Sequence, residues 1–179
     1  MEKAFLIGKK IYLRGLEEQD LENLRKWLCD SEITKLLFQG ERPLNLDHMK
    51  QEFQTKINDD SEIVFAIMTK SNNKHIGWAG IYDINRSSRN AEVRFFIGDK
   101  KYWKMGLATD AVSLLIDYAF NKLNLHRIFG GSNIENKGSV KVFKKLKFKQ
   151  EGIIKEGHFR NGKYYDLVTF GLINKSTNI

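Results

Sequence analysis

The chain has 179 residues with 41% hydrophobic side chains and one proline, enough apolar content for one core and too little proline for a disordered Pro-rich linker. Thirty Lys and Arg against 22 Asp and Glu give a formal charge of +8 at pH 7, which favours an anionic partner such as a nucleic acid, a phosphorylated small molecule or an acidic surface. The opening "MEKAFLIGKK" lacks the apolar run of a secretory leader, and no stretch approaches the roughly 20 apolar residues that cross a bilayer, so a cytoplasmic chain with no membrane partner is expected.

In chain order, "KKIYLRGL" alternates polar and apolar residues and predicts a first strand. "EEQDLENLRKWLCDS" follows with Leu21, Leu24, Trp27 and Leu28 at helical spacing. The lone Cys29 near its end has no partner for an intramolecular disulfide or a cysteine metal site, and core filling is its expected role. Thr34 to Arg42 reads as a loop, and "LNLDHMKQEFQTKIN", just past Pro43, as a second helix. "EIVFAIMT" and "HIGWAGIYDI" are strands joined by the turn "SNNK" and should pair antiparallel. The turn "NRSSRN" leads to the strand "AEVRFFIG".

Beyond it, "LATDAVSLLIDYAFNKL" places Leu107, Ala111, Leu115, Tyr118 and Ala119 on one face of a long helix. "HRIFGGSN" is a strand, and "NKGSVKVFKKLKF" a short helix with Asn136 placed to cap it. The strands "KQEGIIKEG" and "YYDLVTFGLI" surround "RNGK", whose Asn-Gly pair signals a hairpin. The order β-αα-βββ-α-β-α-ββ predicts an α/β fold: one domain over residues 1–179, with a mixed sheet of about seven strands and helices on both faces.

The stretch "GDKKYWKMGLATDA" enters the long helix through Gly106. A helix start leaves main-chain N–H groups without intrahelical acceptors, and a glycine there lets an anion approach them. A glycine before a helix reads equally as plain turn chemistry. Neither a G-x-G-x-x-G dinucleotide fingerprint nor a Gly-Lys-Ser/Thr phosphate loop is present. Three lysines fall between Lys100 and Lys104 and five between Lys141 and Lys149, flanking the same bend.

"AEVRFFIGDKKYWKMGLATDAV", "NIENKGSVKVFKKLKF" and "EGIIKEGHFRNGKYYDLVTFGL" together resemble the GNAT superfamily of acetyl-CoA-dependent N-acetyltransferases. The likeness covers nearly the whole chain from "IYLRGLEEQD" onward. It is strongest to the branch with ribosomal-protein N-terminal, spermidine and amino-sugar acetyltransferases. The resemblance implies that Lys104, Met105, Gly106, Leu107, Ala108 and Thr109 hold the coenzyme A pyrophosphate through main-chain N–H groups. Trp103 stands where the superfamily usually has Arg or Gln, and Lys104-Met105 where relatives of this branch commonly carry Gly-Lys, so a β-carbon at residue 104 crowds the anion. It further implies that the strand "AEVRFFIG" splays from "HRIFGGSN" and that the pantetheine arm lies between them, with Phe96 and Ile97 at the bonding positions. Asn136 and Ser139 match an N-x-x-S that flanks the arm and the thioester, and Lys144 and Lys145 could screen the phosphates.

Acetyl transfer needs a neutral amine, an N–H donor for the developing oxyanion and a proton for the departing thiolate. Glu92 and His158 are the candidate bases; their structural alternatives are a half-exposed strand carboxylate and a packed imidazole. Many GNAT enzymes carry a tyrosine acid where this chain has Phe143, which leaves Ser139 as the available donor. His48, His75 and His126 show no metal-ligand spacing, so no metal is expected. Phe38, Arg42, Tyr82, Arg86, Phe159 and Arg160 would form an aromatic and cationic mouth. Such a mouth disfavours a polyamine and suits a small amine such as a nucleotide-linked amino sugar, or next a protein N-terminus. A non-catalytic RNA- or ribosome-binding module would use Lys141 to Lys149, but no RNA-binding signature is present, and nucleic acid is not an expected partner. The expected partners are acetyl-CoA and an amine acceptor, with a homodimer as an available assembly.

Overall fold

A computed structural model describes residues 3–40, 43–56 and 60–175. Strands β1 (Leu6–Ile7) and β2 (Ile11–Gly15) come first, followed by helices α1 (Leu21–Leu28), α2 (Ser31–Thr34) and α3 (Leu46–Lys56). A meander of β3 (Ile63–Thr69), β4 (His75–Asn85) and β5 (Asn90–Ile97) leads to α4 (Leu107–Asp117). The chain then forms β6 (Arg127–Asn133), α5 (Lys137–Lys145), β7 (Lys149–Arg160) and β8 (Lys163–Ile173). All eight strands join one sheet in the order β1-β2-β3-β4-β5-β6-β8-β7. Only β5 and β6 run parallel; every other neighbouring pair is antiparallel.

Alternation along the strands divides the sheet into two faces. Ala91 and Val93 of β5 join Leu107, Ala111, Val112 and Leu115 of α4 and Phe143 of α5 in the main core. Phe96, out of phase with them, joins Leu21, Leu24 and Trp27 of α1 and Met49 of α3 on the other face. Glu92 and Arg94 share the parity of Phe96, so the polar side chains of β5 open on the α1 face.

The expected order of elements holds, with differences that have local causes. The sheet has eight strands rather than about seven, because β1 is a two-residue strand and two residues carry no alternation to read. The helix expected over "EEQDLENLRKWLCDS" is divided into a 3-10 turn at Glu18–Asp20, α1 and α2. Asp30 restarts the chain as a cap, its side chain accepting from the N–H groups of Glu32 and Ile33. The long helix closes in a π turn at Tyr118–Lys122. Cys29 is exposed at the C-cap of α1 and does not fill the core. In the last hairpin Asn161 and Gly162 both take positive φ, 50° and 77°, the geometry a two-residue Asn-Gly turn requires.

Two carboxylates anchor the helices to the sheet. Asp20, at the start of α1, pairs with both terminal nitrogens of Arg14 at 2.7 Å, and all but a few per cent of both side chains is buried. Burial opposes ionisation of Asp20, but hydrogen bonds from Arg14 and the Glu17 N–H outweigh it and hold the carboxyl below its usual range. Asp110, in the first turn of α4, accepts from the main-chain N–H groups of Lys9, Lys10 and Ile11 at 3.1, 2.6 and 3.2 Å, tying α4 to the β1–β2 turn. Asp110→Ala leaves these donors to water, at an expected cost of about 1–3 kcal/mol. The melting temperature should fall about 2–4 °C per kcal/mol lost, read by calorimetry.

Candidate active site

The sheet forks between β5 and β6. Asn90, Ala91 and Glu92 pair with Arg127, Ile128 and Phe129, and the ladder stops there. Strand β6 stays paired along its length with β8, so Val93–Ile97 and Gly130–Asn133 diverge. Gly130 stands at the fork: a β-carbon there would lie 2.9 Å from the Val93 carbonyl and 2.8 Å from the Phe143 ring. The buried Phe143 ring, stacked on Phe170 at 4.9 Å, fills the core beneath.

The edge of β5 that lines the opening follows from its pairing with β4. The Gly98 N–H donates to the Ile76 carbonyl on the β4 side. Alternation then turns the main chain of Phe96 toward β4 and those of Val93, Phe95 and Ile97 toward the opening. The Trp103 indole N–H, donating to the Ile97 carbonyl at 2.7 Å, reaches that same edge.

The loop from Trp103 to Gly106 closes the end of the fork. Lys104 and Gly106 both adopt left-handed backbone, with φ of 62° and 79°, and Lys10 Nζ braces the Met105 carbonyl at 3.3 Å. Gly106 is the N-cap of α4 and has no side chain to cap with; the first helical bond runs from the Asp110 N–H to the Gly106 carbonyl. The N–H groups of Leu107, Ala108 and Thr109 meet no acceptor among the described residues. Nothing lies within 4 Å of where a Gly106 β-carbon would stand. An open bend rimmed by unpaired amides at a helix start fits a diphosphate.

On the α1 face, a cleft of about 340 Å³ lies against β6, β7 and β8, lined by Phe38, Glu92, Phe129, Gly131, Ile154 and Leu167, with Arg127 and Glu151 at its side. Glu92 Oε2 accepts from Arg94 Nε at 2.8 Å and Nη2 at 2.5 Å, and Arg94 Nη2 also pairs with Asp83 at 2.8 Å. The Arg94 guanidinium lies 4.6 Å from the centroid of the Tyr82 ring. Burial, reinforced by Glu62, pushes the Tyr82 phenol well above its usual value, so that hydroxyl stays protonated.

The Acetyltransferase (GNAT) domain family matches residues 10–149. The chain belongs to the GNAT acetyltransferases. It is 32% identical over 176 residues to the probable N-acetyltransferase YjcK of Bacillus subtilis (strain 168), covering 94% of this chain and 97% of that protein. It is 29% identical over 162 residues to the spermidine N(1)-acetyltransferase of Vibrio cholerae serotype O1, covering 90% and 91%. The crystal structure of spermidine N-acetyltransferase from Vibrio cholerae with CoA and spermine superposes with a TM-score of 0.84 at 27% identity, covering 92% of this chain and 95% of that one. This GNAT chain is therefore an acetyl-CoA-dependent N-acetyltransferase.

Within that frame the expected site residues separate. Lys104 to Thr109 form the amide-rimmed bend. Asn136 caps α5, accepting from the Ser139 N–H at 3.1 Å, and Ser139 is half-buried beside it. Lys145 is exposed in the last turn of α5. Ile97 faces the opening but Phe96 does not: its main chain is turned to β4 and its side chain is buried near Trp27 and Trp78, so Phe95 takes the place expected of it.

Among the acceptor-side residues, the cleft gathers Phe38 and Glu92, and Tyr82 pairs with Glu92 across the β4–β5 ladder. His158 is buried, 3.2 Å from the Asn133 amide and beneath the edge of Phe38 at 5.0 Å. Arg160 is buried rather than presented at a mouth, its Nη2 donating to the Gly40 carbonyl. Arg86 lies exposed in the β4–β5 turn, and Phe159 packs on Tyr164 outside the cleft. Arg42 lies outside the described residues.

Sequence reasoning missed Arg94, although it stands two residues from Glu92 on a strand and so shares its face. Among the described residues no group of three or more His, Cys, Asp or Glu is placed to hold a metal, and no helix is long and apolar enough to cross a membrane. Gly106→Glu would set a carboxylate among the amides of α4. Calorimetry should then detect no acetyl-CoA binding, and normal binding by this variant would contradict the assignment of the bend.

Proposed function

We propose that the acceptor is a primary amine of low net charge, with amino sugars preferred over polyamines. One observation carries this reading: the carboxylates lining the cleft are already matched. Glu92 is held by Arg94, and Glu151 by a two-pronged pair with Arg127. A polyamine brings several positive charges and needs unmatched carboxylates. Phe38, Phe129, Ile154 and Leu167 instead offer the ring and aliphatic surface on which a sugar or a short side chain packs.

When bound, acetyl-CoA supplies an activated acetyl group. The amides of Met105 to Thr109 hold its diphosphate, and the opening-facing edge of β5 aligns its arm. The Ile97 carbonyl is engaged by Trp103, which leaves the Phe95 groups and the Ile97 N–H for that role. One of these N–H donors stabilises the charge that develops on the acetyl oxygen. Glu92, at the last paired step before the fork, takes up the amine proton. Relay of that proton through water to bulk completes the removal. Phe143 cannot protonate the leaving thiolate. A thiol of ordinary pKa leaves as the thiolate and takes its proton from solvent, with the Ser139 hydroxyl placed to hydrogen-bond the departing sulfur.

Transfer to a peptide N-terminus is the second reading. It is favoured by a further cleft of about 700 Å³ beyond the loop that carries Phe38, lined by Leu28, Thr34, Gly40, Pro43, Phe159 and Arg160, which would accommodate a chain following the amine. Thiol release from acetyl-CoA measured across amino sugars, nucleotide-linked amino sugars, short peptides and polyamines tests both readings. The highest kcat/KM is expected with an amino sugar, and spermidine as the best acceptor would overturn the proposal.

A further inference from the structure

We infer that Arg94 sets the charge selectivity of this enzyme by occupying, from within the chain, the place where a second ammonium of a polyamine would bind. The inference rests on the reading of the cleft as one for amines of low charge, and names the residue responsible.

Three features of the β4–β5 ladder support it. Arg94 Nη2 is shared between Glu92 on its own strand and Asp83 on β4, at 2.5 and 2.8 Å. Two carboxylates reaching one nitrogen are close enough to be bridged by a single ammonium, the arrangement a multiply charged amine requires. Second, the guanidinium is laid over the Tyr82 ring at 4.6 Å, a face that attracts any cation placed there. Third, the Arg94 side chain is 37% exposed and that of Asp83 63%, so the cluster stands at the surface and not in the core. Carboxylate pair, aromatic face and solvent access together describe a cation site, and Arg94 fills it. Glu92 connects the cluster to the chemistry, since it lines the cleft itself. With Arg94 in place a second substrate ammonium meets a fixed positive charge; without it, the same ammonium meets two carboxylates and a ring.

Replacing Arg94 with an uncharged side chain of similar reach should therefore admit polyamines. In Arg94→Gln the ratio of kcat/KM for spermidine to that for glucosamine is expected to rise on the order of tenfold or more, as removal of a repelling charge from a partly exposed site allows. Arg94→Lys keeps the charge and should keep the wild-type ratio. Adding Asp83→Asn to Arg94→Gln should reverse the gain, a dependence that a merely structural role for Arg94 would not produce. Unchanged acetyl-CoA affinity by calorimetry serves as the control for folding. Should Arg94→Gln fail to fold, Asp83→Lys at the exposed edge of the same cluster is expected to lower spermidine turnover further, and an unchanged ratio in that variant contradicts the inference. A ratio in folded Arg94→Gln equal to wild type, or a gain that survives Asp83→Asn, overturns it. A wild-type preference for spermidine would overturn the acceptor reading instead, and the ratios in the variants still report on Arg94 separately.

Discussion

The site depends on main-chain N–H groups that the fold leaves without acceptors. Helix α4 starts on a left-handed glycine that cannot cap it, so the donors of its first turn face an open bend. A side-chain cap would have satisfied the helix and closed the site to anions. Everything around the bend holds that exposed start in place: Asp110 ties the first turn of α4 to β1–β2, Lys10 braces the Met105 carbonyl and Trp103 locks the loop to Ile97. Because the donors are main-chain groups, the loop tolerates side-chain change.

The fork supplies the second requirement, a strand edge with unused hydrogen-bonding groups. Gly130 lets β6 pass close to Val93 and the Phe143 ring, after which β6 follows β8 and abandons β5. Phe143 serves as a wedge of the core, stacked on Phe170 and packed against Phe95 and Phe148. On the opposite face Glu92 of β5 meets the cleft, so under the proposed function one strand would present its edge to the donor and its side chains to the acceptor.

Much of this was legible in the sequence because local patterns agreed with the final fold. Period-two alternation marked β2, the turns "SNNK" and "NRSSRN" set off β3 to β5, Asn161-Gly162 marked the last hairpin, and Asn136 proved to be the cap that its spacing indicated. What was not legible depended on pairing. Whether Phe95 or Phe96 turns its main chain to the opening is decided by which residue of β4 lies opposite, a fact of register that alternation alone does not contain. Arg160 read as a cation at a mouth because nothing in "FRNGK" reveals that the loop through Gly40 folds over it. Cys29 read as core because a lone cysteine has no disulfide or metal partner, whereas it lies exposed at the end of α1, where Asp30 starts another helix. Arg94 could have been found, since a charged pair two apart on a strand is a same-face pair, but the bond to Asp83 across the ladder could not.

The central claim concerns a few amides, and it can be observed at those amides. Titrating acetyl-CoA into isotopically labelled protein and following the backbone resonances by NMR should shift the amides of Gly106 to Thr109 most strongly, together with those of Phe95 and Ile97 along the fork. Saturable binding that leaves the Gly106–Thr109 amides unmoved while perturbing another region would contradict the account.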